Sequence, residues 1–225
     1  MNVMTASRRL NRPHHQDSRP RAGRPTREQA EARHNELLDA ALDHFLDKGF
    51  ELATIEGIAS AVGMTKRTVY ARYPDKVALF RAALNLALDR YSVTPEEVAK
   101  TDCGNIEQTL HNIARLRVNQ VLTPNGTRLQ RIIQTESYRF PDLMMQAYQK
   151  GALSTVRFLI DLLKRETAAG RLSVADPERA AMVFMSMVVS GPVRVIVFGQ
   201  PMPEEEIDAR IAFAIELFLK GVLPR

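Results

Sequence analysis

Apolar residues in this chain recur at intervals of three and four, and no stretch shows sustained alternation. Spacing of three to four lines one face of a helix, whereas half-buried strands alternate with period two. The pattern predicts an all-α protein. Leu37, Leu38, Ala41, Leu42 and Phe45 mark a first helix from about Arg27. Gly49 suits the left-handed position that ends it, with Phe50 packing back on the last turn. Thr54 is the expected N-cap of a short second helix carrying Ile55, Ile58, Ala59 and Val62, which Gly63 breaks. Thr65 caps a third helix, Lys66 to about Tyr73, and Pro74 is preset to open a fourth running to about Arg90. Further helices are expected near 104–122, 127–137, 141–168, 176–190 and 204–221. Val193–Phe198, between Pro192 and Gly199, reads as a helix end or loop.

Charge divides the chain unevenly. Residues 1–27 hold seven arginines against one acid, Asp17, and residues 28–63 hold two basic side chains against eight acids. Residues 64–90 turn basic again, with six cations against Asp75 and Asp89, and residues 91–225 nearly balance. Two short basic blocks suggest a polyanion partner, and the neutral remainder suggests another task. The first block carries Pro13, Pro20, Gly23 and Pro25 and is expected to be a disordered, solvated basic arm over residues 1–26. The longest uncharged stretch, Ala180–Val193, is 14 residues and contains Ser186, Ser190, Gly191 and Pro192. A span needs about 20 apolar residues, so a buried helix is expected there and no membrane partner. One cysteine, Cys103, excludes an internal disulfide and multi-cysteine metal sites, and it fits the reducing cytoplasm. The five histidines offer no metal-ligand spacing. No cofactor is expected.

The segment Thr54–Lys76, TIEGIASAVGMTKRTVYARYPDK, carries the chemistry. Two short helices joined by a Gly-containing turn form a helix-turn-helix. Ile58, Ala59, Val62 and Val69 supply the small or apolar crossing, and Thr65, Lys66, Arg67, Thr68, Tyr70, Arg72 and Tyr73 supply hydroxyls, cations and phenols in nine residues. Lys and Arg read guanine edges or bind phosphate, Thr does either, and Tyr hydroxyls usually meet phosphate. Thr54 joins this DNA-contacting set, as does Lys76, expected to add a phosphate contact beside the positive end of the next helix. Arg24 is expected to enter a minor groove from the arm.

The run Ala59-Ser-Ala-Val62-Gly63-Met64-Thr65, then Thr68-Val69-Tyr70, then Tyr73-Pro74-x-Lys76-x-x-Leu79-Phe80, resembles the DNA-binding domain of the TetR/AcrR repressors. The Gly23-Arg24-Pro25 lead-in and the Gly49-Phe50 turn match that family too, so the resemblance covers roughly residues 23–85. Gly57 departs from it, standing where the family usually has an acid that helps cap the second helix, as do Val62 and the pair Ala71-Arg72. The resemblance implies a helix-turn-helix domain over 27–75 and a helical effector-binding and dimerisation domain over 76–225. It also implies a homodimer that binds a palindromic double-stranded operator and is released by a small lipophilic or mixed effector.

For the effector pocket the candidates are Met144, Met145, Phe158, Phe184, Met185 and Met187, because Met and Phe fill irregular apolar space. For the dimer interface they are Ile207, Ile211, Ile215 and Phe218 along the last helix, with Ala180, Phe184 and Met187 opposite. Ordinary core is the rival reading for both sets. A non-specific or ligand-independent DNA binder is the nearest alternative function. An α-helical enzyme is the remote one, since there is no paired Ser/His/Asp arrangement and no phosphate-cradling Gly loop.

Overall fold

The computed structural model describes residues 26–197, 199–200 and 202–222, and these contain helices and no strand. Arg24 and the rest of the expected basic arm up to residue 25 lie outside them. Helix α1 (Arg27–Leu52) opens on a capping box between Thr26 and Gln29. Gly49, at φ 73° and ψ 165°, interrupts the helix as expected of it, and a short further turn carries the chain to Leu52. That conformation costs an L side chain dearly and glycine little. The kink brings Phe50 against Phe45, ring centroids 5.7 Å apart.

Three helices follow: α2 (Ile55–Ala61), α3 (Lys66–Tyr70) and α4 (Lys76–Tyr91). α3 is shorter than its sequence suggests, and the chain continues as a tight turn in which the amides of Arg72 and Tyr73 both donate to Val69 O at 3.0 Å. Pro74 does not open α4. Asp75 does, its Oδ1 accepting from Ala78 N at 2.7 Å and satisfying an amide that a proline before it cannot reach.

The rest comprises α5 (Pro95–Ala99), α6 (Ile106–Leu122), α7 (Pro124–Glu136), α8 (Pro141–Gly151), α9 (Leu153–Ala168), α10 (Pro177–Met185), α11 (Gly191–Val197) and α12 (Glu204–Val222). α5 is too short for periodicity to register. The helix expected over 141–168 breaks at Ala152, whose φ of −116° leaves helical geometry and separates α8 from α9. The segment expected to continue to residue 190 widens into a π-helical turn at Ser186–Ser190. The widening directly precedes Pro192, a residue with no N–H to return to a carbonyl one turn earlier.

Two apolar cores result. The first joins α1–α4 to Leu129 and Ile132 of α7 and to Leu143 and Ala147 of α8. Its centre is aromatic: Phe80 lies 4.9 Å from Phe45 and 5.3 Å from Phe50, and Phe140 lies 5.0 Å from Phe50 and 5.3 Å from Phe80. Phe140 sits at the α7–α8 corner, so the helical unit that carries the turn is tied to the later helices through its own core. Ion pairs Arg81–Asp142, Arg128–Asp43 and Arg139–Glu51 ring the same joint. Exposed pairs of this kind add little stability but fix register. The second core gathers α6, α9, α10 and α12 around Ile113, Leu159, Leu163, Phe184 and Ile211.

Candidate nucleic-acid interface and ligand cavity

The α2–α3 unit is anchored from below and polar above. Ile58, Ala59 and Val69 are buried where the helices cross. Gly63, at φ 62°, makes the turn between them, and Met64 N donates to Ala59 O at 2.8 Å to close it. Thr54 Oγ1 accepts from Gly57 N at 3.1 Å, and Thr65 Oγ1 accepts from Thr68 N at 3.1 Å. Both threonines therefore cap their helices. A Cβ at Gly57 would lie 3.2 Å from Thr54 Oγ1 and 3.3 Å from His44 Cε1, so a side chain there would crowd both the cap and α1.

With Val69 pinned inward, Lys66, Arg67, Thr68, Tyr70 and Arg72 are exposed on one surface. Lys66 is paired with Glu56 of α2 across the turn and stands 5.6 Å from the Tyr70 ring centroid. That pair holds the Glu56 carboxyl below its ordinary range and the Lys66 ammonium above its own. Arg67 and Arg72 make no ion pair among the described residues. Tyr73 is half-buried, and its hydroxyl shares a 2.5 Å hydrogen bond with Nε2 of His34. Burial, then the Arg72 charge, push His34 down, and burial pushes the Tyr73 phenol up. The pair ties the end of the α3 turn to α1.

Lys76 has a different task from the phosphate contact expected of it. Its Nζ donates to the carbonyls of Phe50 at 2.7 Å, Glu51 at 3.0 Å and Ala53 at 3.1 Å, and stands 4.5 Å from the Phe50 ring centroid. An ammonium has three donors, and all three cap the negative end of α1. Glu56 and Lys76 thus exchange places relative to the sequence reading: one joins the surface, the other leaves it.

The later helices border a half-open, two-lobed cavity. The larger lobe, about 560 Å³, lies among α4, α6, α7 and α8 and includes Leu88, Ser92, Gln120, Leu129, Ile133 and Met145. The smaller, about 350 Å³, is bounded by Val156 of α9, Met182 and Met185 of α10, and Val189 of the π turn. Arg117, Gln130, Tyr148, Ala152 and Ser190 line both. Of the expected pocket residues, Met145 and Met185 reach a lobe. Phe184 does not: it is fully buried in the second core, 5.1 Å from Phe218. Phe158 packs half-buried against that same core, and the side chain of Met144 lies outside the description. Met187 lines an outer groove with Phe213 and Leu217 instead.

Arg117 was missed by sequence reasoning, although a signal existed. It stands seven residues after Leu110 and four before Val121, on the stripe of α6 that is otherwise apolar and buried. It is only 5% exposed, and burial lowers its guanidinium to about 10.

The expected dimer residues also need correction. Ile207, Ile211, Ile215 and Phe218 are buried by their own chain, as is Phe184, so they have no face to offer a partner, whereas Ala180 and Met187 are only partly buried and Met187 lines the outer groove. The outward stripe of α12 carries Phe213 and Leu217, 67% and 54% exposed, beside Val183 of α10 at 53%.

Residues 37–83 match the bacterial regulatory proteins of the tetR family, and residues 108–221, half of the chain, match the C-terminal domain of AefR-like transcriptional repressors. The chain belongs to the TetR family. It is a DNA-binding transcriptional regulator with an N-terminal helix-turn-helix followed by a helical domain. The chain is 30% identical over 73 residues to the transcriptional repressor ComR of Escherichia coli, a match spanning 32% of this chain and 35% of that protein. The flavonoid-responsive regulator FrrA is similar over 87% of this chain and 99% of its own, at 32% identity and a TM-score of 0.66. A TetR-family regulator from Mesorhizobium loti shares the fold over 89% of this chain and all of its own, with 24% identity and a TM-score of 0.73. Among the described residues, no helix is long and apolar enough to cross a membrane.

Proposed function

We propose that this TetR-family regulator is a dimeric repressor that reads a palindromic operator with α3 and leaves it when a small molecule fills the two-lobed cavity. One observation carries the DNA reading: Val69 is fully buried while Lys66, Arg67, Thr68, Tyr70 and Arg72 around it are exposed. Such a helix can be pressed into a major groove without losing its own packing. Phosphate contacts from Thr54, Thr65, Tyr70 and Lys66 set register, and Arg67 and Arg72 are the groups free to reach base edges. Lys76 is left out of this set because its donors are spent on α1.

A second copy of the chain is the occupant of the outward stripe of α10 and α12, since family members bind operators as dimers. Small neighbours, Gly191, Ala209 and Ala214, flank Phe213 and Leu217 in a shallow apolar groove, which suits two helices packing closely. The relative FrrA is described as flavonoid-responsive, which favours a small-molecule signal over a protein one. That signal has a mechanical route. Leu88 and Ser92, at the end of α4, line the larger lobe, while Phe80 near its start belongs to the aromatic centre under α1. Filling the lobe moves α4, and α4 moves the helix-turn-helix. Two recognition helices must stand about 34–36 Å apart to enter successive major grooves, so a small displacement suffices for release.

The test is Phe213→Glu followed by analytical ultracentrifugation and footprinting on a duplex selected from random DNA. The reading predicts a folded monomer with one weakly protected half-site, where the parent protects two, about 10 base pairs apart. A Phe213→Glu protein that remains dimeric would remove this face from the account.

A further inference from the structure

The cavity lining is chemically lopsided. Among the described residues no acidic side chain borders either lobe, whereas Arg117 borders both and Arg194 borders the smaller. Arg117 is 95% withdrawn from solvent, being 5% exposed, yet its Nε and Nη1 are buried without any hydrogen-bond partner among the described residues. Burial alone acts on its titration, with no carboxylate opposing it. Even so, the guanidinium remains protonated at neutral pH, at a value of about 10.

A buried charge without a counter-charge is costly, and a chain that needed only packing at this position would do better with Leu or Met. A neutral partner at Arg117 would bring no negative charge. The planar fork of donors matches a carboxylate, which two parallel N–H groups hold bidentately. The rest of the larger lobe is apolar along Leu88, Leu129 and Ile133, with Gln120 and Gln130 also on its wall.

We propose that the cavity takes a small organic anion, its carboxylate paired with Arg117 and its apolar body along α4 and α7. This rests on the reading of the cavity as the effector site and names the chemical class of that effector. A neutral molecule of the same shape leaves the guanidinium unpaired and is discriminated against, as polar sites reject analogues lacking the complementary group. Arg117 lies on α6, which packs against the π turn, α7, α11 and α12. Neutralising it therefore draws together helices of both lobes.

The experiment uses two matched pairs of probes, 2-naphthoate with 2-naphthamide and decanoate with decanamide, titrated calorimetrically into the full chain. At least one carboxylate is expected to bind roughly 10–100-fold more tightly than its carboxamide. Arg117→Gln should erase that preference, and Arg117→Lys, which keeps the charge but loses the fork, should retain part of it. In the absence of any probe, Arg117→Gln should melt no lower than the parent, because an uncompensated charge has been removed. Equal affinity for acid and amide, binding of neither carboxylate, or a preference that survives Arg117→Gln each overturns the proposal. A carboxylate that binds through Arg117 yet leaves affinity for the selected duplex unchanged upholds the anion site and removes the effector reading.

Discussion

Replacing Lys76 with Met separates a structural cation from a DNA-contacting one. The ammonium donates to three carbonyls at the end of α1, those of Phe50 and Ala53 half-buried and that of Glu51 exposed. Hydrogen bonds to charged groups contribute about 1.5–3 kcal/mol each, and exposed ones far less. Counting the two half-buried bonds at the low end and nothing for the third gives a loss of about 3 kcal/mol. For a chain of this size that lowers the melting temperature by about 6–12 °C. The Met stem keeps most of the packing against the Phe50 ring, so the loss reports on the ammonium. The assay is thermal and urea unfolding followed by circular dichroism, alongside the salt dependence of duplex binding. At temperatures where the variant is folded, the slope of log affinity against log salt should match the parent. An unchanged melting temperature with a slope smaller by about 1.8, roughly 0.9 for each protomer's contact, would show a phosphate contact and refute the capping argument.

Two further substitutions probe the joints around the helix-turn-helix. Phe140→Ala removes the ring that the α7–α8 corner inserts between Phe50 and Phe80; at 8% exposure it should cost about 3 kcal/mol in urea unfolding and weaken the coupling between a cavity ligand and the operator. Coupling that stays at the parent's value in calorimetry with and without duplex would show that the signal travels elsewhere. His34 has its pKa lowered from 6.5 by burial and Arg72, so protonation is disfavoured in the folded chain. Its contribution is complete above pH 6.5 and is lost as pH falls through the lowered value. His34→Gln should flatten that part of the stability profile between pH 7 and 5, and a profile identical to the parent's would contradict the assignment.

Much of the helix-turn-helix geometry behind the proposed DNA surface was legible because it is local. Thr54 caps its own α2, Thr65 caps its own α3, and Gly63 turns the chain between them, all within a dozen residues. What escaped was long-range. Lys76 reaches carbonyls 23 to 26 residues earlier, and Glu56 meets Lys66 ten residues later, contacts that no periodicity encodes. The last helix misled for a different reason. α12 has two apolar stripes, Ile207-Ile211-Ile215-Phe218 and Phe213-Leu217, and sequence alone does not say which one faces inward. The richer stripe belongs to the core, and the sparser one is exposed. Arg117 was detectable as a charge on an apolar stripe, but a buried arginine becomes informative only once the absence of an acid around it is visible.

The central claim is that α3 reads sequence, not merely charge. Its most direct measurement is the ratio of affinities for the selected duplex and a scrambled one, by fluorescence anisotropy at fixed salt, for the parent and for Arg67→Ala. The account predicts that Arg67→Ala lowers specific binding by about 1–3 kcal/mol per half-site and relaxes one base position in each, with little change on scrambled DNA. An Arg67→Ala protein that keeps the parent's ratio, or loses affinity equally for both duplexes, would contradict it.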